Sequence, residues 1–479
     1  MADYMESLTS DDKKYVWHPF TQMADWVNDD PVAPCIIDRA RGNYLYDVRG
    51  KKYLDGVSSL WVTLHGHGKK EIDRAVRAQL KKVAHSTFLG LTHEPAIRLA
   101  RELIGLAPAG LSRVFYSDNG STAVEIALKM AYQYWQQKPA RENRTTFLSL
   151  KNAYHGDTIG SVSVGGMDLF HVKFRPLLFK TIFAPSPYCY RCSFGGPGRC
   201  ASQCVGEVER ILAAHHKKIA AMVVEPMVQG AAGMLTMPPG YLKKIEKLCR
   251  ACDVLLICDE VATGFGRTGK MFAVEHENVR PDLMCLAKGI TGGYLPLAAT
   301  LASEKIYRAF LGKHEEFKTF FHGHTYTANP LACAAALANL AIFKKEKVIA
   351  GLAPKVRHLK NELSSLGALP IVGEIRQIGL MAGIELVKDR KSRAEFAAKD
   401  KIAIRICAAC RSGGIIIRPL GNVLVLMPPL SVTKAEISKM IATIRNAINR
   451  DFDLTFLLPG GEKARMRGKS SGEEADLVK

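Results

Sequence analysis

Over the first seventy residues, apolar and polar positions alternate in short runs such as Asn43-Tyr-Leu-Tyr-Asp47 and Lys51-Lys-Tyr-Leu-Asp55, with turn residues between them. That period of two predicts short strands. From about Glu71 the period lengthens. Helical spacing runs from Glu71 to Val83, from Ser121 to Trp135 and from Tyr241 to Cys252. Between these stretches lie brief apolar runs at Val114–Tyr116, Thr146–Leu150, Ala220–Val224 and Val254–Cys258. Strands this uniformly apolar fit a parallel sheet covered by helices on both faces. The pattern therefore predicts an α/β fold, with a large, mainly parallel sheet domain over residues 71–330. A smaller α+β domain is expected from the two flanking segments, 1–70 and 331–460. Residues 461–479 carry Gly, Ser and alternating charges without aromatics, which predicts a disordered tail. The chain has no internal repeat.

Composition narrows the class. Of 479 residues, 47% are hydrophobic and 23% charged, the profile of a folded globular chain. No apolar run reaches the ~18–20 residues that a membrane-spanning helix needs. Lys and Arg outnumber Asp and Glu by 66 to 46, a net charge of +20. The excess is spread along the chain, and even the dense stretch Lys344–Lys347 contains Glu346 on an amphipathic helical pattern. Such charge reads as solvated helix faces and argues against a nucleic-acid partner. The opening MADYMESLTS has neither the basic start and apolar core of a secretory signal nor the arginines of a transit peptide, so a cytoplasmic protein is expected. Several of the twelve cysteines (Cys258, Cys285 and Cys333) fall inside apolar runs and read as reduced core thiols.

In an open α/β sheet, ligands gather at the carboxyl ends of the strands, so the polar residues that end each apolar run carry the chemistry. Asp259 ends one run. Lys288 follows another, Pro281-Asp-Leu-Met-Cys-Leu-Ala, and leads into Gly289, Gly292 and Gly293. Taken singly, the aspartate is as well explained by a helix cap or salt bridge, and the lysine by a side chain reaching for solvent. Together they suit pyridoxal phosphate, a lysine binding its aldehyde and a carboxylate its pyridine nitrogen. Ser117-Asp-Asn-Gly120-Ser121 lies between a strand and a helix, where backbone amides and a hydroxyl can face a phosphate, although the same loop also serves as an ordinary cap. Tyr154, in Asn152-Ala-Tyr-His-Gly-Asp157, offers a ring either for stacking or for packing.

The combination SDNGSTAVEIALKMA, NAYHGDTIG, VVEPMVQGA, CDEVATGFGRTGK, LAKGITGGYLP and FFHGHTYTANPLACAAA resembles the class III aminotransferases, PLP-dependent transferases of fold type I, over nearly the whole chain up to Leu457. The resemblance implies Lys288 as the Schiff-base lysine, Asp259 as the partner of the pyridine nitrogen and Tyr154 as the stacked aromatic. It implies Gly120 and Ser121 at the phosphate, joined across a homodimer interface by Thr325, and Glu225 shaping the pocket near the ring. WHPFTQM, DGVSSLWVTLHGH, HGHTYTANP and IIRPLGNVLVLMPP resemble one subgroup, which aminates 8-amino-7-oxononanoate in biotin biosynthesis. For that substrate the resemblance implies Arg418 at its carboxylate and Trp61, Phe20, Tyr154, Lys288 and Gly323 along the binding site. Members using S-adenosylmethionine as amino donor carry tyrosine, tryptophan and tyrosine where this chain has Phe20, Leu60 and Val425. Members with the Phe and Leu pattern include users of lysine, so both donors stand. Another ω-amino substrate, such as a diamine, is the alternative within the family.

Cys189, Cys192, Cys200 and Cys204 sit in a Gly/Pro-rich insertion with spacing that suits a four-thiolate zinc or iron–sulfur site, or a surface loop of free thiols. Cys249/Cys252 and Cys407/Cys410 read as core packing within helices.

Overall fold

A computed structural model describes residues 2–28, 34–138, 143–195 and 202–456, with side chains from Tyr4 to Asp451. The tail expected from residue 461 and Cys200 lie outside the described residues.

Three short strands, β1 (Ile37–Arg41), β2 (Tyr44–Asp47) and β3 (Lys52–Asp55), make an antiparallel ribbon where the sequence alternates. The central sheet follows. Its strands are β4 (Leu111–Ser117), β5 (Thr146–Leu150), β6 (Thr181–Ala184), β7 (Ile219–Val224), β10 (Leu255–Asp259), β11 (Leu283–Leu286) and β12 (Ala298–Ser303). A small hairpin, β8 (Val228–Gln229) with β9 (Leu235–Thr236), falls between β7 and β10. The sheet order is β4-β12-β11-β10-β7-β5-β6. All neighbours run parallel except β12, which is antiparallel to both β11 and β4. The chain turns back through Gly292 and Gly293 after β11, with no crossover helix to restore the direction.

Alternate residues of the apolar runs serve opposite faces of this sheet, as strand geometry requires. Ala221 and Val223 of β7, with Leu255 and Ile257 of β10, pack against Ala123, Ile126, Ala127 and Met130 of the helix Gly120–Gln136. Met222, Val224, Leu256 and Cys258 face the other way, into a core shared with Tyr241, Leu242 and Ile245 of the helix Tyr241–Ala251. Every residue of β7 and β10 is therefore buried. No described helix is long and apolar enough to cross a membrane.

The chain's last third forms a second antiparallel sheet from β13 (Val372–Ile378), β14 (Met381–Leu386), β16 (Arg418–Leu420) and β17 (Val423–Leu426), in the order β13-β14-β17-β16. The remaining strand, β15 (Ile415–Ile416), pairs parallel to β3, setting Ile415 opposite Leu54 and Ile416 opposite Asp55. Both ends of the chain are thereby tied into one sheet.

Candidate active site

The polar ends of β4, β5, β7, β10 and β11 open on one cavity of about 700 Å³. Parallel pairing sets Asp259 level with Cys285, which places the end of β10 beside the approach to Lys288. Gly120, Ser121, Tyr154, Glu225, Asp259, Lys288 and Trp61 all line this cavity. Seven residues expected from separate segments are thus brought together.

Asp259 is buried. Its Oδ2 lies 2.8 Å from His155 Nδ1, and its Oδ1 accepts a hydrogen bond from the Val261 amide at 3.0 Å. Burial lowers the pKa of the Lys288 amine, whereas the carboxylates of Asp259 and Glu225 oppose that drop and Arg267 adds to it. The Lys288 backbone is left-handed, with φ 46°, and its Nζ stands 5.3 Å from the centre of the Trp61 ring. Glu225 accepts from the Tyr154 amide at 3.1 Å and the Gly230 amide at 2.9 Å. Burial nonetheless raises its pKa to about 7, helped by the charge of Asp259 and opposed by His155 and these two amides.

A second group builds an anion cradle. Asn119 caps the helix Gly120–Gln136 by accepting from the Thr122 amide at 3.1 Å. The Thr158 amide donates to Ser121 Oγ at 2.9 Å, and Glu125 gathers the same loop by accepting from Thr158 Oγ1, Gly160 and Ser161. Gly156 has φ 124°, and a Cβ there would lie 2.3 Å from Ser121 Oγ. The loop thus closes on the helix start with no room for a side chain. A helix N-terminus with a nearby hydroxyl suits phosphate, and the Asp259–His155 pair offers a carboxylate suited to a protonated ring nitrogen. These residues fit pyridoxal phosphate.

The wall opposite is strained. Ser58, Ser59 and Trp61 all have positive φ, of 52°, 62° and 66°, each worth about 1–3 kcal/mol of strain in a non-glycine residue. Two buried groups hold them. Asp55 accepts from Ser59 N at 2.8 Å and Ser59 Oγ at 3.0 Å, and lies 3.0 Å from His67 Nε2. Arg267 is fully buried and donates to Ser58 Oγ, Thr63 O and Pro428 O. Asp55 supplies the acidic charge near it.

Arg418 lies on β16 opposite Val425, close enough to Tyr154 for their charges to interact. Burial lowers its pKa and the Tyr154 phenol counters that. Tyr154 itself donates to Asp157 Oδ2 at 2.7 Å, and burial raises its phenol pKa. Phe20 is reached through Phe170, whose ring lies 5.5 Å from Phe20 and 6.1 Å from Tyr154. Gly323 and Thr325 are exposed on the loop before the helix Pro330–Lys345 and do not line this chain's cavity. That loop touches the cradle through His324 Nδ1, 2.8 Å from Asp118 Oδ2.

In the sequence His155 stands only as part of a motif. The signal available was its place next to Tyr154, although its partner Asp259 is distant in sequence. Among the described residues no group of three or more side chains could hold a metal ion. Cys189 and Cys192 are partly exposed and Cys204 is buried at the start of the helix Gln203–His215. Cys258, Cys285 and Cys333 are buried, and burial pushes all three thiols up.

The family model for aminotransferase class III matches residues 26–448. An adenosylmethionine-8-amino-7-oxononanoate aminotransferase from Nitratidesulfovibrio vulgaris is 55% identical over 443 residues, 92% of this chain and 81% of its own length. The crystal structure of an enzyme of that name from Methanocaldococcus jannaschii superposes with a TM-score of 0.88 at 45% identity, covering 93% of this chain and 99% of the other. An amine transaminase from an uncultivated Pseudomonas species, solved in its PLP-bound form, gives 0.86 at 37% identity over 91% and 98%. The strand-end pair of Asp259 and Lys288 thus sits in the architecture of transaminases, and the chain belongs to the class III aminotransferase family.

Proposed function

We propose that the chain binds pyridoxal phosphate and transfers an amino group to 8-amino-7-oxononanoate, giving 7,8-diaminononanoate in biotin biosynthesis. The observation that carries this reading is the single cavity in which Asp259, braced by His155, lies near a lysine of lowered pKa, in a chain whose close relatives bear that substrate in their names.

When bound, the cofactor supplies an aldehyde to take up the amino group and a ring to absorb the electrons of the broken C–H bond. The chain's own residues do the rest. Gly120 and Ser121 hold the phosphate with backbone N–H groups and a hydroxyl. Asp259 keeps a proton on the ring nitrogen. Lys288 Nζ would hold the cofactor's aldehyde and would move the proton at the substrate carbon as base and then acid; its burial favours the neutral amine needed for this. Tyr154 and Trp61 wall the cavity against water. Arg418 receives the substrate carboxylate with a planar guanidinium.

S-adenosylmethionine is the donor that the relatives' names suggest. Lysine is the second reading, favoured by Leu60, which lines the cavity where members using the sulfonium donor carry an aromatic ring. The active form is a homodimer in the cytoplasm. Exposed Leu89, Phe321 and Tyr326 support a covered surface, and exposed Thr325 is free to reach the other copy's cavity.

The deciding assay supplies 8-amino-7-oxononanoate with S-adenosylmethionine or lysine to the loaded enzyme and follows 7,8-diaminononanoate. Product from one donor, lost in Lys288→Ala, supports the reading. Turnover of a diamine or 4-aminobutyrate with none of the oxononanoate would replace the substrate, and turnover surviving in Lys288→Ala would sink the mechanism.

A further inference from the structure

Asn339 is the one amide in the apolar run Leu331–Phe343 of the helix Pro330–Lys345, and it is fully buried. A polar side chain so placed is costly unless its hydrogen bonds are made. Its Nδ2 donates to Gly289 O and to Ile290 O, both at 3.0 Å. These carbonyls belong to the two residues that follow Lys288.

The turn they belong to is tight. Lys288–Thr291 forms a single 3-10 turn, entered by Lys288 at φ 46° and left by Gly292 at φ 67°. Internal bonds from Ile290 N to Ala287 O and from Gly292 N to Gly289 O close it, but both lie within the turn. Asn339 adds an anchor from a different part of the fold. A Cβ on Gly292 would stand 3.0 Å from Asn339 Oδ1, so the glycine and the amide are fitted to one another. Asn339 does not line the cavity, and any effect on chemistry must pass through the turn.

We propose that Asn339 is a positioning residue for Lys288: by holding the carbonyls of Gly289 and Ile290 it fixes the 3-10 turn, entered by the left-handed Lys288, that aims the lysine amine into the cavity beside Trp61. The inference rests on Lys288 being the lysine that binds the cofactor aldehyde.

The test uses the full-length, cofactor-free protein and pyridoxal phosphate as probe. The amine adds to the aldehyde carbon, water leaves, and borohydride then delivers hydride to the C=N bond, fixing a secondary amine that peptide mapping assigns to a residue. Rates of labelling at Lys288 are taken across pH for wild type, Asn339→Leu, Asn339→Asp, Asn339→Ser and the helix control Ala336→Gly. Losing the anchor is expected to slow labelling about 10- to 100-fold and to move the midpoint of its pH profile, the scale of a reacting group displaced by about an ångström. Ala336→Gly should lower the Tm and label like wild type. The isosteric Asp and the smaller Ser variants decide the matter where Asn339→Leu does not fold. Folded Asn339 variants with the wild-type rate and midpoint would overturn the proposal, as would equal slowing in Ala336→Gly. Absence of Lys288 labelling in wild type would instead overturn the cofactor reading beneath it.

Discussion

His155 Nδ1 and Asp259 Oδ2 stand 2.8 Å apart, with almost no exposure of either side chain. Replacing His155 by Ala leaves Asp259 buried with only the Val261 amide as partner. The expected cost is about 3 kcal/mol of stability, the price of an unpaired buried ionisable group. Urea unfolding of the cofactor-free protein measures it, and an unchanged midpoint would mean that the pair carries no strain when broken.

Glu225 and Glu260 give the stability a pH slope. Burial raises both to about 7; backbone amides oppose this in each case, joined by His155 at Glu225 and by the Thr263 hydroxyl at Glu260. Their ordinary value is 4.5, so between about pH 4.5 and 7 the folded protein holds protons that the unfolded chain has released. This contribution is fully present below pH 4.5 and is lost as the pH rises to 7, on the order of 3 kcal/mol for each group. Glu225→Gln and Glu260→Gln should each flatten the fall, as read from unfolding curves between pH 5 and pH 8.

Gly156→Ala places a methyl group 2.3 Å from Ser121 Oγ and 2.7 Å from its Cα, in a backbone conformation that disfavours any side chain. The loop must move off the helix start. Pyridoxal phosphate affinity is expected to fall by about tenfold or more, given roughly 1–3 kcal/mol of strain. Absorbance titration of the cofactor-free variant reports it.

Arg418→Met removes the cation that the proposed function places at the substrate carboxylate. A lost charged hydrogen bond of about 1.5–3 kcal/mol corresponds to a KM for 8-amino-7-oxononanoate raised about 10- to 100-fold. Because the reacting ketone is remote from the carboxylate, kcat should change little. Steady-state kinetics with the acceptor varied separate the two.

What could be read in the sequence was the chemistry carried at strand ends. Uniformly apolar runs stop where the sheet stops, so Asp259 at the end of β10 and Lys288 beyond β11 stood out, and the run Thr146–Leu150 coincides with β5. Direction was not readable. Ala298–Ser303 is buried at every position like Leu283–Leu286 but breaks its apolar run with Thr300 and Ser303, and nothing in its sequence marks it as an antiparallel strand. His155 lacked a visible role because burial against Asp259 is a product of folding. The left-handed Ser58, Ser59 and Trp61 were equally hidden, since Asp55 and Arg267 impose that backbone from outside the loop.

The pairing of β3 with β15 has a consequence for the chain while it is being made. Synthesis delivers Leu54 early and its partner Ile415 near the end, so the edge of β3 stays open through most of translation. An open edge invites pairing with other chains, and the cationic side chains of Arg39, Arg41, Lys51 and Lys52 on and beside this ribbon discourage it. The loop bearing Trp61 begins directly after that strand. A ribosome that stops before Ile415 therefore releases a chain in which Lys288 has been made but the edge of β3 is still unpaired.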